Sequence, residues 1–593
     1  MTTRSTRSPR RRTVVALAVV LAVLVVFVVR LVDIQVVSAR EHVDDSLAMG
    51  IGASTTLYGT RGSIVDTNGQ TLAGSILQYD AELDPSNVGP ITRTGADGEK
   101  VEVDWPTLAA QIGAITGQSA EDVQKIVADA LEANPDSQYA ELIKGLSTEK
   151  YRALADLGIP FLHMKQHPAR TYPDGAVAGN LVGFVGADGQ PLEGLERAQD
   201  SCLAATDGTR SYQRGKDGVV IPGTEQVAPA VDGGTLELTI DRDLQWYLQQ
   251  LIAEQTQNQG AQHGQIMVVE AKTGKIRAAA EYPTVDPNNV SASADGDRSS
   301  RIFRGTFEPG STFKGLTAAM VVDSGAAGPT STVVASGRET FPNGARVADA
   351  IGHGATTYTL AGVLMDSSNV GISKFAEMVP AEKRYDYLQR FGIGEVSGVG
   401  FPGEATGILR PVTEWDNQTF YNTSFGQGVA TTLPQLVGAY QAIANDGTRI
   451  PLSLIESCTR ADGTVETTDP GEPTQVVSAE SAEQVQQMLE NVFVQGGLSK
   501  AVAIDGYRLG GKTGTGEVAE NGRYKSGVYF TTLIGFAPAD DPEYVVAVTL
   551  DQPTGVRSSA ANAAGFQQAM TQVLKTFRVM PSDSQPVLLP KTG

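Results

Sequence analysis

Val14 to Val29 runs for sixteen residues without a charged or strongly polar side chain, and apolar positions continue at Leu31, Val32 and Ile34 around Arg30 and Asp33. Sixteen residues span about 24 Å as a helix, short of a hydrocarbon core of about 30 Å. With Arg30 snorkelling, the next turn can complete the crossing. The pattern predicts one transmembrane anchor over residues 13–34, behind a tail of residues 1–12 that carries Arg4, Arg7, Arg10, Arg11 and Arg12. Arginines ahead of a span keep the N-terminus cytoplasmic and place the rest of the chain across the membrane. The alternative is a cleaved signal peptide with its site at Val37-Ser38-Ala39. Its apolar run would be long, and Arg30 and Asp33 would lie between that run and the cut.

Beyond the anchor the periodicity alternates between helix and strand. Leu108, Ile112 and Ile115, then Val123, Ile126, Val127 and Leu131, recur at three- and four-residue steps, predicting helix from about Trp105 to Leu157. Arg61-Gly-Ser-Ile-Val-Asp66-Thr-Asn-Gly69 reads as a short strand and an Asn-Gly turn. Glycine and proline between Val219 and Gly234 mark a boundary. After it, Thr235 to Ile240 alternates as a strand, and Asp241 caps a helix with Leu244, Tyr247, Leu248 and Leu251 on one stripe. From there to about Phe577 helices and strands mix without a repeating βα period, which favours an α+β sheet flanked by helices. The expected organisation is a mixed α/β pedestal at 50–230, a large α+β domain at 235–578 and a flexible tail at 579–593.

Charge narrows the partners. The 593 residues carry a net charge of −21, and −26 once the five tail arginines are set aside, which argues against nucleic acid. Cys202 and Cys458 fall in different predicted domains. An oxidising exterior permits a disulfide between them, but two separate buried thiols is the simpler expectation. No Cys/His cluster has metal-ligand spacing.

Three short motifs carry the chemistry: Ser311-Thr-Phe-Lys314, Ser367-Ser-Asn369 and Lys512-Thr-Gly514-Thr515. They supply a nucleophile, a proton acceptor and an anion clamp without a histidine. Other copies exist at Ser147-Thr-Glu-Lys150, Lys272-Thr-Gly274 and Lys591-Thr-Gly593. Lys272 lies between two strand-like runs and reads as a hairpin loop. A serine hydroxyl needs a neighbour to take its proton. On a helix Ser311 and Lys314 share a face, with Ser311 near the first turn after Pro309-Gly310. For Lys314 to serve as base it must be neutral, which burial and a nearby Lys512 would favour.

In this order the motifs resemble those of class B penicillin-binding proteins. The likeness extends to Arg61–Gly69, Arg170-Thr-Tyr-Pro173, Gly194-Leu-Glu196, Glu308-Pro-Gly310 and Thr423-Ser-Phe-Gly-Gln-Gly428. It implies a penicillin-binding transpeptidase domain with an antiparallel sheet, and D,D-transpeptidation of peptidoglycan stem peptides through an acyl-enzyme on Ser311. On this resemblance Ser367 relays a proton and Asn369 holds a substrate amide. Lys512, Thr513 and Thr515 receive the terminal carboxylate, and the backbone N–H groups of Ser311 and Thr515 form the oxyanion hole. Gly514 completes the strand motif, while Gly426, Gln427 and Gly428 either border the site or simply form a tight turn. The family uses no cofactor or metal and is acylated by β-lactam antibiotics.

Trp415, Phe401-Pro-Gly-Glu404 and Arg30-Leu-Val-Asp-Ile-Gln35 resemble the division-specific FtsI branch, with the elongation-specific branch as alternative. The resemblance also implies partners: a membrane glycan polymerase of the FtsW type and other divisome proteins. A β-lactamase would have no use for a pedestal or anchor. A carboxypeptidase would share every motif, and a penicillin-binding sensor or scaffold would need a cytoplasmic output. Leu589-Pro-Lys-Thr-Gly593 resembles a sortase signal without the apolar stretch that follows one, and is read as chance in a flexible tail.

Overall fold

The computed structural model describes residues 9–33, 52–94, 99–186, 188–214, 220–520 and 523–593. Tail residues 1–8 and Val37-Ser38-Ala39 lie outside the described residues. Pro9–Val32 forms one helix, whose stretch Thr13–Val32 has a mean hydropathy of 3.2 and is wholly exposed. Twenty residues reach about 30 Å, so the helix has the length and composition of a single-pass anchor. Arg30 meets Asp33 at 2.5 Å near its end. This helix belongs to a small unit, Met1–Gly59 with Ala205–Val231, whose strands Gly52–Leu57, Gly208–Gln213 and Gln226–Ala228 pair antiparallel.

The larger unit, Thr60–Ala204 with Asp232–Gly593, contains a lobe with its own core. Strand Thr71–Leu83 pairs antiparallel with both Ala140–Leu146 and Leu162–Thr171. Helices Trp105–Thr116 and Ala120–Ala133, capped by Asp104 and Ser119, bury Leu108, Ile112, Val123 and Val127 in that core. Helix does not continue to Leu157. Pro135 disfavours helical backbone at Asn134, and the following Ala140–Leu146 forms a strand that buries Ala140, Leu142 and Leu146. Ser147 caps the next helix, Thr148–Ala155, by accepting from Lys150 N at 3.3 Å, so that Ser-x-x-Lys copy is a cap.

Glu196 ties this lobe to its surroundings. It is fully buried and takes Arg61 Nε at 2.7 Å and Arg170 Nε at 2.6 Å. Asp66, also buried, accepts from Gln70 N at 2.7 Å and from Arg242 N at 3.0 Å. These buried ion pairs and hydrogen bonds hold the segments Arg61–Gly69, Arg170–Pro173 and Gly194–Glu196 together.

Helix α1 (Arg242–Gln259) is capped by Asp241, which accepts from Leu244 N at 2.9 Å. Strands β1 (His263–Glu270) and β2 (Ile276–Tyr282) form the hairpin whose turn holds Lys272-Thr-Gly274. Helices α2 (Phe313–Asp323), α3 (Leu360–Met365), α4 (Asn369–Ala376), α5 (Leu433–Ala444) and α6 (Ala479–Gln495) follow. Strands β3 (Gly510–Glu520), β4 (Arg523–Ala537) and β5 (Tyr544–Asp551), then helix α7 (Ala563–Thr576), complete the domain. The five strands make one antiparallel sheet in the order β2-β1-β5-β4-β3. Tyr544 to Leu550 of β5 are all buried, as a central strand covered on both faces requires. Helices α1 and α7 pack on each other and on the sheet, as do α5 and α6. That leaves β3 as an edge strand.

Two expectations are corrected. Cys202 and Cys458 form a disulfide, with Cα atoms 6.1 Å apart. Strand Ile455–Thr459 folds back to pair with Thr235–Leu238, placing Cys458 opposite Leu236, while Gly234 N donates to Cys202 O at 2.7 Å. The end of the chain is also not loose: Val587, Leu589 and Pro590 accept hydrogen bonds from Asn491, Gln495 and Thr359.

Candidate active site

Ser311 stands on a single 3-10 turn, Gly310–Thr312, that runs directly into α2. Gly310 has φ +56°, and a Cβ there would lie 2.8 Å from Thr515 O. The turn is held from behind: Gly310 N donates to Gly426 O at 3.0 Å, and a Cβ on Gly426 would lie 2.3 Å from Gly310 O. Glycine is therefore required at both positions for backbone to meet backbone. Glu308 Oε1 accepts from Gly428 N at 2.9 Å, adding a second tie to the same turn.

One turn along α2, the fully buried Lys314 reaches back. Its Nζ donates to Ser311 Oγ at 3.0 Å, to Ser367 Oγ at 3.1 Å and to Ser367 O at 2.5 Å. Ser367 lies between α3 and α4 with φ +57°, a left-handed conformation that a serine adopts only when its surroundings impose it. Lys512 approaches from β3, donating from Nζ to Ser367 Oγ at 3.1 Å and to Thr513 Oγ1 at 3.3 Å. Ser367 Oγ thus sits between two lysines. Burial first, and the charge of Lys512 second, push the Lys314 ammonium well below its ordinary range; Asp349 acts in the opposite sense. Burial alone pushes Lys512 down to about 7.

The remaining motif residues complete a cleft of about 600 Å³ lined by Ser311, Ser367, Asn369, Gln427, Thr513 and Thr515, among others. Asn369 Nδ2 donates to Ala348 O at 2.8 Å, which fixes the carboxamide. Thr515 Oγ1 accepts from Ser559 N at 3.2 Å. Lys314 and Lys512 lie beneath the cleft wall. Gly514 is turned away from it, and a Cβ there would stand 2.7 Å from Pro309 O and 2.8 Å from Thr312 Cγ2. Its part is to let the edge strand press against the Gly310–Thr312 turn. Gly426 and Gly428 have φ +79° and +68°, so they form a tight turn, while Gln427 faces the cleft and donates to Glu517 Oε2 at 3.1 Å.

Sequence reasoning missed Asp349 and His353, which line the same cleft. Asp349 accepts from Ser368 Oγ at 2.7 Å and from Val370 N at 2.9 Å, pinning the start of α4. His353 Nε2 lies 2.8 Å from Asp349, and that hydrogen bond raises the imidazole above its ordinary value. A lone Asp and a lone His at these positions have no spacing that would single them out. The arrangement can deprotonate a hydroxyl through a desolvated amine and hold an anion beside it. Among the described residues no cluster could hold a metal ion.

Residues 264–571 match the penicillin binding protein transpeptidase domain, and residues 56–238 the penicillin-binding protein dimerisation domain. The chain is similar to penicillin-binding protein PbpB of Mycolicibacterium smegmatis, 33% identical over 97% of this chain and 92% of that one. It is 30% identical to the peptidoglycan D,D-transpeptidase FtsI of Escherichia coli, over 88% of this chain and 84% of the relative. The crystal structure of penicillin-binding protein 3 from Mycobacterium tuberculosis in complex with aztreonam superposes with a TM-score of 0.69, at 29% identity, covering 91% of this chain and all of that one. The two domains in this order, on a chain that matches FtsI and PbpB almost end to end, make it a member of the class B penicillin-binding proteins.

Proposed function

We propose that this protein cross-links peptidoglycan stem peptides in the septal cell wall as a serine-type D,D-transpeptidase. The single observation that carries the reading is the three-point seating of Lys314 Nζ on Ser311 Oγ, Ser367 Oγ and Ser367 O in a buried site. A neutral Lys314 takes the Ser311 proton as Oγ attacks the carbonyl of the penultimate D-Ala. The terminal D-Ala leaves as an amine that regains a proton through Lys314 and Ser367, and an ester remains on Ser311. The amine of a second stem peptide attacks that ester, forming the cross-link and freeing Ser311. Asn369 orients the donor amide, and Lys512, Thr513 and Thr515 receive its terminal carboxylate. The backbone N–H groups of Ser311 and Thr515 serve the oxyanion, where one donor is worth about 10²–10³ in rate. A β-lactam enters the first step and stays, because its leaving group remains tethered.

The pedestal comprises residues 50–230 and the transpeptidase domain residues 235–578. Arginines ahead of Thr13–Val32 support a cytoplasmic N-terminus, with the site on the outer face where peptidoglycan lies. An FtsW-type glycan polymerase supplies the strands, and divisome proteins place the enzyme. The septal assignment follows the likeness to FtsI and PbpB. Peptide mapping after benzylpenicillin treatment tests the acylation half. A stable adduct on the Ser311 peptide, absent in Ser311→Ala, is expected. Hydrolysis of the drug without an adduct would make the protein a β-lactamase instead.

A further inference from the structure

The segment 587–593 lies against α6, the strand Thr356–Thr359 and the first turn of α3. Leu589 N donates to Asn491 Oδ1 at 3.0 Å and Leu589 O accepts from Gln495 Nε2 at 3.0 Å, so α6 grips it from one side. Thr359, the cap of α3, grips it from the other: its Oγ1 donates to Pro590 O at 2.6 Å and its N to Lys591 O at 3.2 Å. A Cβ on Gly362 would come within 1.9 Å of Lys591 O, so the first turn of α3 is shaped to admit this backbone. Thr592 forms an antiparallel bridge with Tyr358, and Gly593 N donates to Thr357 O at 3.2 Å. The segment thus meets the strand Thr356–Thr359, itself paired with Thr332–Ala335, through a single antiparallel bridge.

Its one charged side chain reaches the residue before Ser367. Lys591 Nζ lies 2.5 Å from Asp366 Oδ1, and Tyr358 Oη donates to Asp366 Oδ2 at 3.0 Å. Asp366 is the C-cap of α3, where a carboxylate meets the negative end of the helix dipole and is disfavoured without a cation. Asp366 also lines the cleft. The next residue is the serine held at φ +57°, whose carbonyl and hydroxyl both seat Lys314. A displacement of Asp366 is passed to the base through a single peptide bond.

We infer that segment 587–593 is a strap that holds the Ser367 loop in its reactive geometry, with Lys591 as a positioning residue acting through Asp366. The inference rests on the reading of Ser311 as the acylated residue. Lys591 touches neither Ser311 nor Lys314, so its effect on acylation passes through Asp366 and Ser367, and the saturating rate is where it should chiefly appear.

The test is stopped-flow acylation of the full chain by a fluorescent penicillin, resolving the saturating rate from the half-saturating concentration. The variants are Lys591→Arg, Lys591→Ala, Lys591→Glu and a chain truncated after Pro586. Half-exposed ion pairs are weak, so Lys591→Ala should slow acylation about threefold. Lys591→Glu, which sets two carboxylates together, and the truncated chain should slow it about tenfold or more. Lys591→Arg should stay near wild type, and the loss in the other variants should fall chiefly on the saturating rate. Wild-type rates in both Lys591→Glu and the truncated chain overturn the inference, as does a loss confined to the half-saturating concentration. A wild-type chain that is never labelled would overturn instead the acyl-enzyme reading beneath it.

Discussion

Replacing Lys512 with methionine keeps the bulk of the side chain and removes its charge. Lys314 Nζ and Lys512 Nζ each lie 3.1 Å from Ser367 Oγ, so the two nitrogens are at most about 6.2 Å apart. At an effective dielectric constant of about 20, two unit charges at that distance repel by roughly 2.7 kcal/mol. That repulsion favours neutral Lys314 by about a hundredfold wherever Lys512 is charged. Without it the Lys314 ammonium is easier to keep, so its pKa rises and less of it is available as base at low pH. The acid limb of the saturating acylation rate should therefore move to higher pH in Lys512→Met. Below about pH 7 the wild-type Lys512 carries its charge, so that is where the two profiles should differ most. Loss of the carboxylate clamp should appear separately, as weaker saturation. Rapid-mix acylation by benzylpenicillin across pH 5–9 measures both. An acid limb that stays in place, or moves to lower pH, would refute the coupling of the two lysines.

Three other outcomes follow from the geometry. Gly514→Ala should slow acylation about ten- to a hundredfold, because its Cβ meets Pro309 O and Thr312 Cγ2 and forces the edge strand off the nucleophile turn; circular dichroism should show the fold intact. Cys202→Ser together with Cys458→Ser should lower stability by about 2–4 kcal/mol in denaturant unfolding, since the bond closes a separation of 256 residues. Ser147→Ala should leave penicillin acylation unchanged and lower stability by about 1 kcal/mol, as expected of a helix cap.

The motifs were legible because each puts its reacting groups within four residues, a spacing that one helical turn or one strand edge converts into contact. Ser311 with Lys314, and Lys512 with Thr513, needed no tertiary information to be paired. Order among repeated copies did the rest, separating Lys512 from the hairpin lysine at 272. Long-range partners left no such trace. Asp349 pins α4 from an irregular stretch, and Cys458 meets Cys202 only because a strand folds back on Thr235–Leu238. Ala140–Leu146 was hidden for a related reason: its alternation is short, and what makes it a strand is the partner Thr71–Leu83. Segment 587–593 reads as a tail because, Lys591 aside, it is held through its backbone atoms, which carry no sequence signal.

Cross-linking itself is the most direct test. The full chain is incubated with lipid-linked disaccharide pentapeptide and a membrane glycan polymerase, and the product is digested to muropeptides and weighed. Dimers that have lost one D-Ala per cross-link are expected, absent in Ser311→Ala and after benzylpenicillin. Tetrapeptide monomers alone would mean that water, and no second stem peptide, resolves the ester. Dimers that persist in Ser311→Ala would contradict the account at its centre.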